Sequence, residues 1–358
     1  MQKKTYILGI ESSCDETSAA IVTRDNADNK PIVLANVIKN QIDVHEAFGG
    51  VVPELAARAH SNVIDVLVEK ALKKAKIKLK DITAVSATTG PGLLGGLLVG
   101  VIAAKTLSSV LKIPFISINH LEGHALSAQL EQDISFPYLL LLVSGGHTEF
   151  TIVKKFNKYN RIGTTVDDAL GEAFDKTARL LKLGYPGGPQ IEKLAQSGDE
   201  NAYDLPKPLI NEKNSYFSFS GLKTSVAQLV HKQQKLTPKI KKDIAASFQK
   251  TIGDIIKIKT KNAIDEFVKI TKSKSINIVV AGGVAANQYL KKRLNEIETN
   301  ETKVFFPSMQ FCTDNGAMIA YAGLLRYEKK MYSKLSIKPR PRWPLDEKAV
   351  FVKGKGIR

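Results

Sequence analysis

Twice along this chain a short apolar run breaks into a polar bend and resumes as a second apolar run. Residues 6–10 lead through Glu11-Ser12-Ser13-Cys14-Asp15-Glu16-Thr17 into 18–22, and Tyr138–Val143 leads through Ser144-Gly145-Gly146-His147-Thr148 into 149–153. Apolar runs of this length, bounded by turn-forming residues, predict buried strands joined as hairpins. A unit repeated once at wide separation is not a solenoid, whose motif recurs every ~20–50 residues. It predicts two related halves.

The stretches around the hairpins fill in the class. Residues 53–76 place Leu55, Val63, Val66, Leu67 and Leu72 at helical spacing, a strand is expected at 82–87, and a glycine turn leads into a helix over 95–111. A strand at 115–118 and a helix from Asn119 follow. In the second half, 165–183 predicts a helix on which Thr165 and Asp168 resemble a capping box. Glycine dominates 184–188, an amphipathic helix spans 240–270, a buried strand 276–280, and Gly282-Gly283 turns into a helix at 286–294. Alternating strands and helices give an α/β fold. The prolines of 339–344 close the folded part, and the basic tail beyond is expected to be poorly ordered.

Composition narrows the partners. The 358 residues carry 52 Lys and Arg against 35 Asp and Glu, a formal charge of +17. Such a balance favours a polyanionic partner, because neutralised phosphates release counterions. It equally fits a solvated, lysine-rich surface. Lysines concentrate at 232–242 and 257–274, with Lys353 and Lys355 in the tail. Cys14 and Cys312 are too far apart in sequence for a disulfide framework or a CxxC metal site, which suits a reducing compartment. The basic N-terminus is followed by an apolar run that Glu11 interrupts, too short for a signal peptide. The low-polarity stretch 92–104 ends at Lys105, short of the ~20 residues of a membrane helix. A cytoplasmic protein with no membrane partner is expected.

The chemistry-bearing residues begin with His120-Leu121-Glu122-Gly123-His124, where two imidazoles at i and i+4 share a helical face and can share a cation. The zinc protease signature needs Glu directly after the first His, and here Glu122 stands one place later. Asp314, just before a helix expected at 317–325, is a candidate third ligand. Two His and a carboxylate would leave positions open for substrate oxygens. The competing reading is that Asp314 merely caps that helix.

Gly90-Pro91-Gly92-Leu93-Leu94-Gly95 formally satisfies GxGxxG, but the acidic residue expected ~20 positions later is missing. These glycines are assigned to close packing. Ser144-Gly145-Gly146, Gly187-Gly188 and Gly282-Gly283 together suggest a nucleotide cleft, since such turns offer N–H groups to phosphates with no Cβ in the way. Asp175 and Glu192 could accept ribose hydroxyls. Ser144 lacks the GxSxG context, and Asp15 and Glu16 beside Cys14 disfavour a thiolate. Covalent catalysis therefore has little support.

At this point a family resemblance becomes specific. Gly9-Ile10-Glu11-Ser12-Ser13-Cys14-Asp15-Glu16-Thr17, Asn119-His120-Leu121-Glu122-Gly123-His124, Leu142-Val143-Ser144-Gly145-Gly146-His147-Thr148, Gly171-Glu172-Ala173-Phe174-Asp175-Lys176, Phe219-Ser220-Gly221-Leu222-Lys223-Thr224 and Gly282-Gly283-Val284-Ala285-Ala286-Asn287 occur in that order. The set resembles the TsaD family of tRNA adenosine threonylcarbamoyltransferases, formerly labelled glycoproteases, over residues 6–344.

The resemblance implies an actin-like (ASKHA) α/β fold of two related lobes around a nucleotide and metal cleft. One lobe would span 1–125, completed by 311–345, the other 126–310, with 346–358 as a basic tail. It implies transfer of threonylcarbamoyl from threonylcarbamoyl-AMP to N6 of adenosine 37 in tRNAs reading codons that begin with A. His120, His124 and Asp314 would hold one Fe(2+), or Zn(2+). Leu142, Val143, Ser144, Gly145, Gly146, Asp175, Gly188, Glu192 and Asn287 would bind the adenylate, and Glu11 could assist proton removal. The implied partners are the tRNA anticodon loop, a catalytically silent paralogous subunit and a small P-loop ATPase. An actin-like small-molecule kinase, a metalloprotease and a nucleotide-dependent chaperone are the competing readings, and bound metal separates the first from the transferase.

Overall fold

The computed structural model describes residues 4–24 and 30–350. The chain divides into two compact units, Met1–Asp133 with Pro307–Glu347, and Ile134–Phe306 with Lys348–Arg358.

In the first unit, β1 (Ile7–Glu11), β2 (Glu16–Arg24) and β3 (Pro31–Asn40) are followed by a single turn, α1 (Ile42–His45), then α2 (Pro53–Ser61), α3 (Ile64–Ala75), β4 (Ala84–Gly90), α4 (Leu94–Leu111), β5 (Phe115–Asn119) and α5 (His120–Leu126). The sheet order is β3-β2-β1-β4-β5. The first three strands pair antiparallel, while β4 and β5 join parallel to β1. β1 is buried along its whole length, as expected of a strand covered on both faces. Leu8 and Ile10 join α3 and α4 in one core cluster. The strand period of two sends Ile7, Gly9 and Glu11 to the other face. A helix formed much later in the chain lies there. A Cβ on Gly9 would sit 2.4 Å from the backbone of Gly316 and Ala320.

In the second unit, β6 (Tyr138–Val143), β7 (Thr148–Lys155) and β8 (Lys158–Thr164) precede α6 (Leu170–Leu180), α7 (Gly187–Ala195), α8 (Ser220–Lys232), the long α9 (Pro238–Thr271), β9 (Ile276–Ala281), α10 (Gln288–Asn295) and β10 (Thr302–Phe305). Its order, β10-β9-β6-β7-β8, repeats that of the first sheet strand for strand. The chain then returns to the first unit through α11 (Met309–Cys312) and α12 (Gly316–Glu328).

The repeated hairpins are therefore the hearts of two equivalent sheets. Their third strands, β3 and β8, are edge strands and only partly buried. β8 is interspersed with polar residues, so no clean apolar run marks it, whereas β3 carries the apolar run Ile32-Val33-Leu34-Ala35 and is a strand not picked out from sequence. The helix expected over 53–76 breaks between Ser61 and Ile64. Thr165 and Asp168 form no capping box. Helix α6 starts at Leu170, whose N–H is received by Thr148 Oγ1 at 2.8 Å, while Thr165 Oγ1 donates to the Asp168 carbonyl. Residues 283–286 form a 3-10 turn before α10.

Helix α4 runs past Lys105 to Leu111, and its mean hydropathy of 1.8 over those residues makes it long and apolar enough to cross a membrane by length and composition. Lys105 does not end it, since Nζ donates to the Ile337 carbonyl. One face packs on the first unit. Gly96 and Gly100 lie so close to Ser12 that a Cβ on either would approach it within 2.3 Å. Leu94, Leu98 and Ile102 on the other face are exposed. Of the expected tail at 346–358, residues 351–358, including Lys353 and Lys355, lie outside the described residues.

Candidate functional site

The first unit assembles His120, His124 and Asp314. Asn119 caps α5 by accepting the Leu121 N–H at 2.9 Å, so the helix begins on His120 and carries the second imidazole, His124, one turn further along the same face. Their ring centroids are 4.7 Å apart and the rings nearly perpendicular. Asp314 does not cap α12. Asn315 does, receiving the Met318 N–H at 3.0 Å, which leaves the Asp314 carboxylate for the histidines. Its Oδ1 lies 3.3 Å from His120 Nε2 and 3.0 Å from His124 Nε2. One donor atom from each of the three residues falls within 4.8 Å of the others.

This donor set fits a metal ion. Two ligand atoms each ~2.1 Å from one cation stand roughly 3.0–3.4 Å apart at octahedral or tetrahedral angles, and the nitrogen–oxygen separations here match. The outer groups fit as well. His120 Nδ1 lies 3.1 Å from Glu11 Oε2 and 3.1 Å from Ser13 Oγ. A carboxylate behind Nδ1 places the ring proton there and turns the lone pair of Nε2 toward a metal.

Charge is also arranged for a cation. Burial by itself would raise the carboxyl pKa of Asp314, but His120 and His124 hold it well below the usual carboxylate range. Burial opposes the charged form of His120, and Asp314 with Glu11 outweigh it and raise the pKa well above the ordinary imidazole value. Burial, Asp314 and Asp15 push the Glu16 carboxyl well up, and burial, Asp15 and Asp314 push the Cys14 thiol up too. Cys14 is thus kept protonated and unreactive. Cys312 is buried, outside any disulfide, and its Sγ donates to the Pro307 carbonyl at 3.2 Å.

Glu11 and Glu122 are fully buried. Glu11 is occupied at both oxygens, Oε1 by the Ser13 N–H at 2.6 Å and Oε2 by Thr88 Oγ1 and His120. Glu122 Oε2 receives Nε and Nη2 of Arg326 at 3.1 and 2.7 Å, which ties α5 to α12. A carboxylate held by a guanidinium is not free to act on a metal-bound water as the protease reading requires. Ser13, Thr88 and Arg326 were not picked out from sequence. Ser13 lies within the Gly9–Thr17 motif, whereas only the pairing of β1 with β4 and the seat of α12 bring in the other two.

The second unit brings the remaining candidates into a ring of contacts. Gly282, at φ +95°, packs so tightly on the Val143 carbonyl that a Cβ would lie 2.5 Å from it. The Gly171 N–H donates to the Ser144 carbonyl at 3.1 Å, seating α6 on the bend after β6. Asp175 Oδ1 accepts the Gly187 N–H at 2.8 Å, joining α6 to α7. Glu192 Oε1 accepts the Gln288 N–H at 2.6 Å, joining α7 to α10, which Asn287 caps. Asn287 Nδ2 also donates to Gln249.

Within this ring, a Cβ added at Gly145, Gly146, Gly188 or Gly283 would meet no atom of the described residues within 4 Å. Glycine backbone therefore faces open space, as a phosphate cradle needs. The side chains of Leu142 and Val143 are core and can contribute backbone only. Asp175, Glu192 and Asn287 bind helix N-termini. The GxGxxG glycines at 90–95 lie in the other unit and pack on Arg340, Ser13 and Ala57.

A family profile described as TsaD, tRNA N6-adenosine threonylcarbamoyltransferase, matches residues 32–321. The chain belongs to the TsaD family. It is 51% identical over 363 residues to the tRNA N6-adenosine threonylcarbamoyltransferase of Pelagibacter ubique (strain HTCC1062), covering 100% of both chains. It is 52% identical over 359 residues to that of Bartonella tribocorum, covering 98% of each. Among solved structures it shares its fold with T. kodakarensis HypF, at a TM-score of 0.61 and 13% identity, over 93% of this chain and 49% of that one. It does so too with component A of the Acidaminococcus fermentans (R)-2-hydroxyglutaryl-CoA dehydratase, at 0.51 and 16%, over 91% and 99%. The family's ASKHA fold accounts for the two equivalent sheets.

Proposed function

We propose that the protein transfers threonylcarbamoyl from threonylcarbamoyl-AMP to N6 of adenosine 37 in tRNAs reading codons that begin with A. The observation that carries the reading is the convergence of His120, His124 and Asp314 in a member of this family. In the transfer, N6 attacks the carbamoyl carbon, the bond from that carbon to the phosphate oxygen breaks, AMP leaves with the electron pair, and N6 releases one proton. The adenine amine is a weak nucleophile because its lone pair is delocalised, so the donor must be activated and held in place.

An iron or zinc ion held by the three residues would supply a Lewis acid for acyl and phosphate oxygens. The resemblance favours iron. Glu11, with both oxygens engaged, acts as a positioning residue that orients His120. Gly145, Gly146, Gly188 and Gly283 cradle the phosphate through their backbone, while Asp175, Glu192 and Asn287 hold the surrounding helices in register. The two units are read as the two actin-like lobes. A silent paralogous subunit, a small P-loop ATPase and a cytoplasmic setting complete the reading.

The test incubates the protein and such partners with threonylcarbamoyl-adenylate and unmodified tRNA, followed by mass analysis of nucleosides. The expected result is modified adenosine that His120→Ala and Asp314→Ala abolish. Product formation unaffected by both substitutions removes the metal from the mechanism, and absence of product with the native chain overturns the transferase reading.

A further inference from the structure

After α12 the chain runs as a pinned strip across the first unit. The Ser333 N–H donates to the Phe115 carbonyl at 2.9 Å, Lys105 Nζ to Ile337 at 2.5 Å, Arg340 N–H to Thr89 at 2.7 Å, and Gly92 N–H to Pro341 at 3.1 Å. Asn119 Nδ2 then donates to the Trp343 carbonyl at 3.1 Å. These partners are the start of β5, helix α4, the end of β4, the loop after it and the cap of α5. The last contact fixes Trp343 on the residue immediately before His120.

The strip is built for a polyanion with exposed rings. Between 334 and 347 it carries Lys334, Lys338, Arg340 and Arg342 against Asp346 and Glu347. Lys338, Arg340 and Arg342 are exposed and follow at every second residue, at most about 7 Å apart along the backbone. The Arg340 guanidinium lies 4.7 Å from the Trp343 ring centroid. Glu347 Oε1 receives both Arg340 Nη1 at 2.7 Å and Trp343 Nε1 at 2.6 Å. One carboxylate therefore holds a guanidinium plane and an indole together on a fixed backbone, while Arg342 and Lys338 keep their charge facing water. Proteins recognise unpaired RNA loops with this combination, stacking bases on aromatic and guanidinium planes and setting cations against phosphates.

We propose that residues 338–343 are the docking surface for the single-stranded loop of the RNA substrate. Lys338 and Arg342 meet backbone phosphates, and the Arg340–Trp343 stack receives an unpaired base. The assignment rests on the transferase reading above, since Asn119 anchors the strip beside the helix that bears the metal ligands.

The test uses the full-length protein with the partners and substrates of the preceding assay. It measures kcat and KM for tRNA, and tRNA binding by fluorescence anisotropy between 50 and 200 mM salt. Arg342→Glu is expected to raise KM at least about ten-fold with kcat within about two-fold, and to reduce the salt slope by about one to two. Arg340→Lys, which keeps the charge and loses the plane, should raise KM several-fold with the salt slope unchanged. Lys235→Glu, an exposed site in the lysine-rich segment 232–242, should change neither, and thermal melting should confirm folding of each variant. An unchanged KM and salt slope in Arg342→Glu, while the native chain modifies tRNA, overturns the docking surface, as does an equal loss in Lys235→Glu. If the native chain makes no modified nucleoside but Arg342→Glu still weakens tRNA binding, the transferase reading fails and the docking surface stands.

Discussion

Gly90→Ala tests how the strip is attached. Gly90 has φ +148°, and an added Cβ would lie 1.9 Å from the Arg340 carbonyl oxygen and 2.8 Å from its carbon. Both are backbone atoms and cannot rotate away. Relieving the overlap moves the strip by more than an ångström and breaks the Arg340-to-Thr89 and Gly92-to-Pro341 hydrogen bonds. Two such bonds are worth about 1–3 kcal/mol together. Holding a residue with a side chain at this φ costs about 1–3 kcal/mol more. A loss of roughly 2–6 kcal/mol is expected, concentrated where the strip crosses β4. Hydrogen exchange is the right assay, because a two-unit chain need not unfold in one step. The Arg340 and Gly92 amides should lose protection by at least about ten-fold, while amides of β6 and β9 in the other unit stay unchanged. Native-like protection at Arg340 and Gly92 would refute the reasoning.

Glu11→Gln should lower metal affinity about 10- to 100-fold, since His120 loses the carboxylate that fixes its ring; competition with a chelator measures this, and an unchanged affinity counts against Glu11 as a positioning residue. Gly188→Ala adds a Cβ that meets nothing within 4 Å, so thermal melting should not fall while adenylate affinity, read by calorimetry, drops at least about ten-fold. A full-affinity variant would place the donor elsewhere. Asp254 is paired with Lys207 and Arg293; burial alone would raise its pKa, and the two cations lower it below the usual value. A depressed carboxyl contributes stability above its unfolded pKa of about 3.9 and loses it as pH falls through the folded value. Asp254→Asn should therefore be about 1–2 kcal/mol less stable than the native chain at pH 7, with the gap closing below about pH 4 in urea unfolding.

Much of the centre was legible because its signals are local. The i, i+4 spacing of His120 and His124 survives any tertiary arrangement that keeps the helix, and the twin hairpins announce two equivalent sheets through burial that acts on each strand separately. Glycine turns at 145–146, 187–188 and 282–283 were readable for the same reason. Asp314 was recognisable only as a candidate, because a carboxylate before a helix looks alike whether it caps or coordinates; the fold decided by giving the cap to Asn315. Edge strand β8, partly buried and mixed in composition, left no period to read, while β3 carries an apolar run at Ile32–Ala35 that local pattern does report. The partners Thr88 and Arg326, and the strip's grip on Gly90 and Asn119, come from segments far apart in sequence. Residue order sets which side chains a helix or strand can present, but which of them meet depends on how β1 pairs with β4 and where α12 and the strip come to rest. Those contacts are made across the packed interior, where no local pattern reports them.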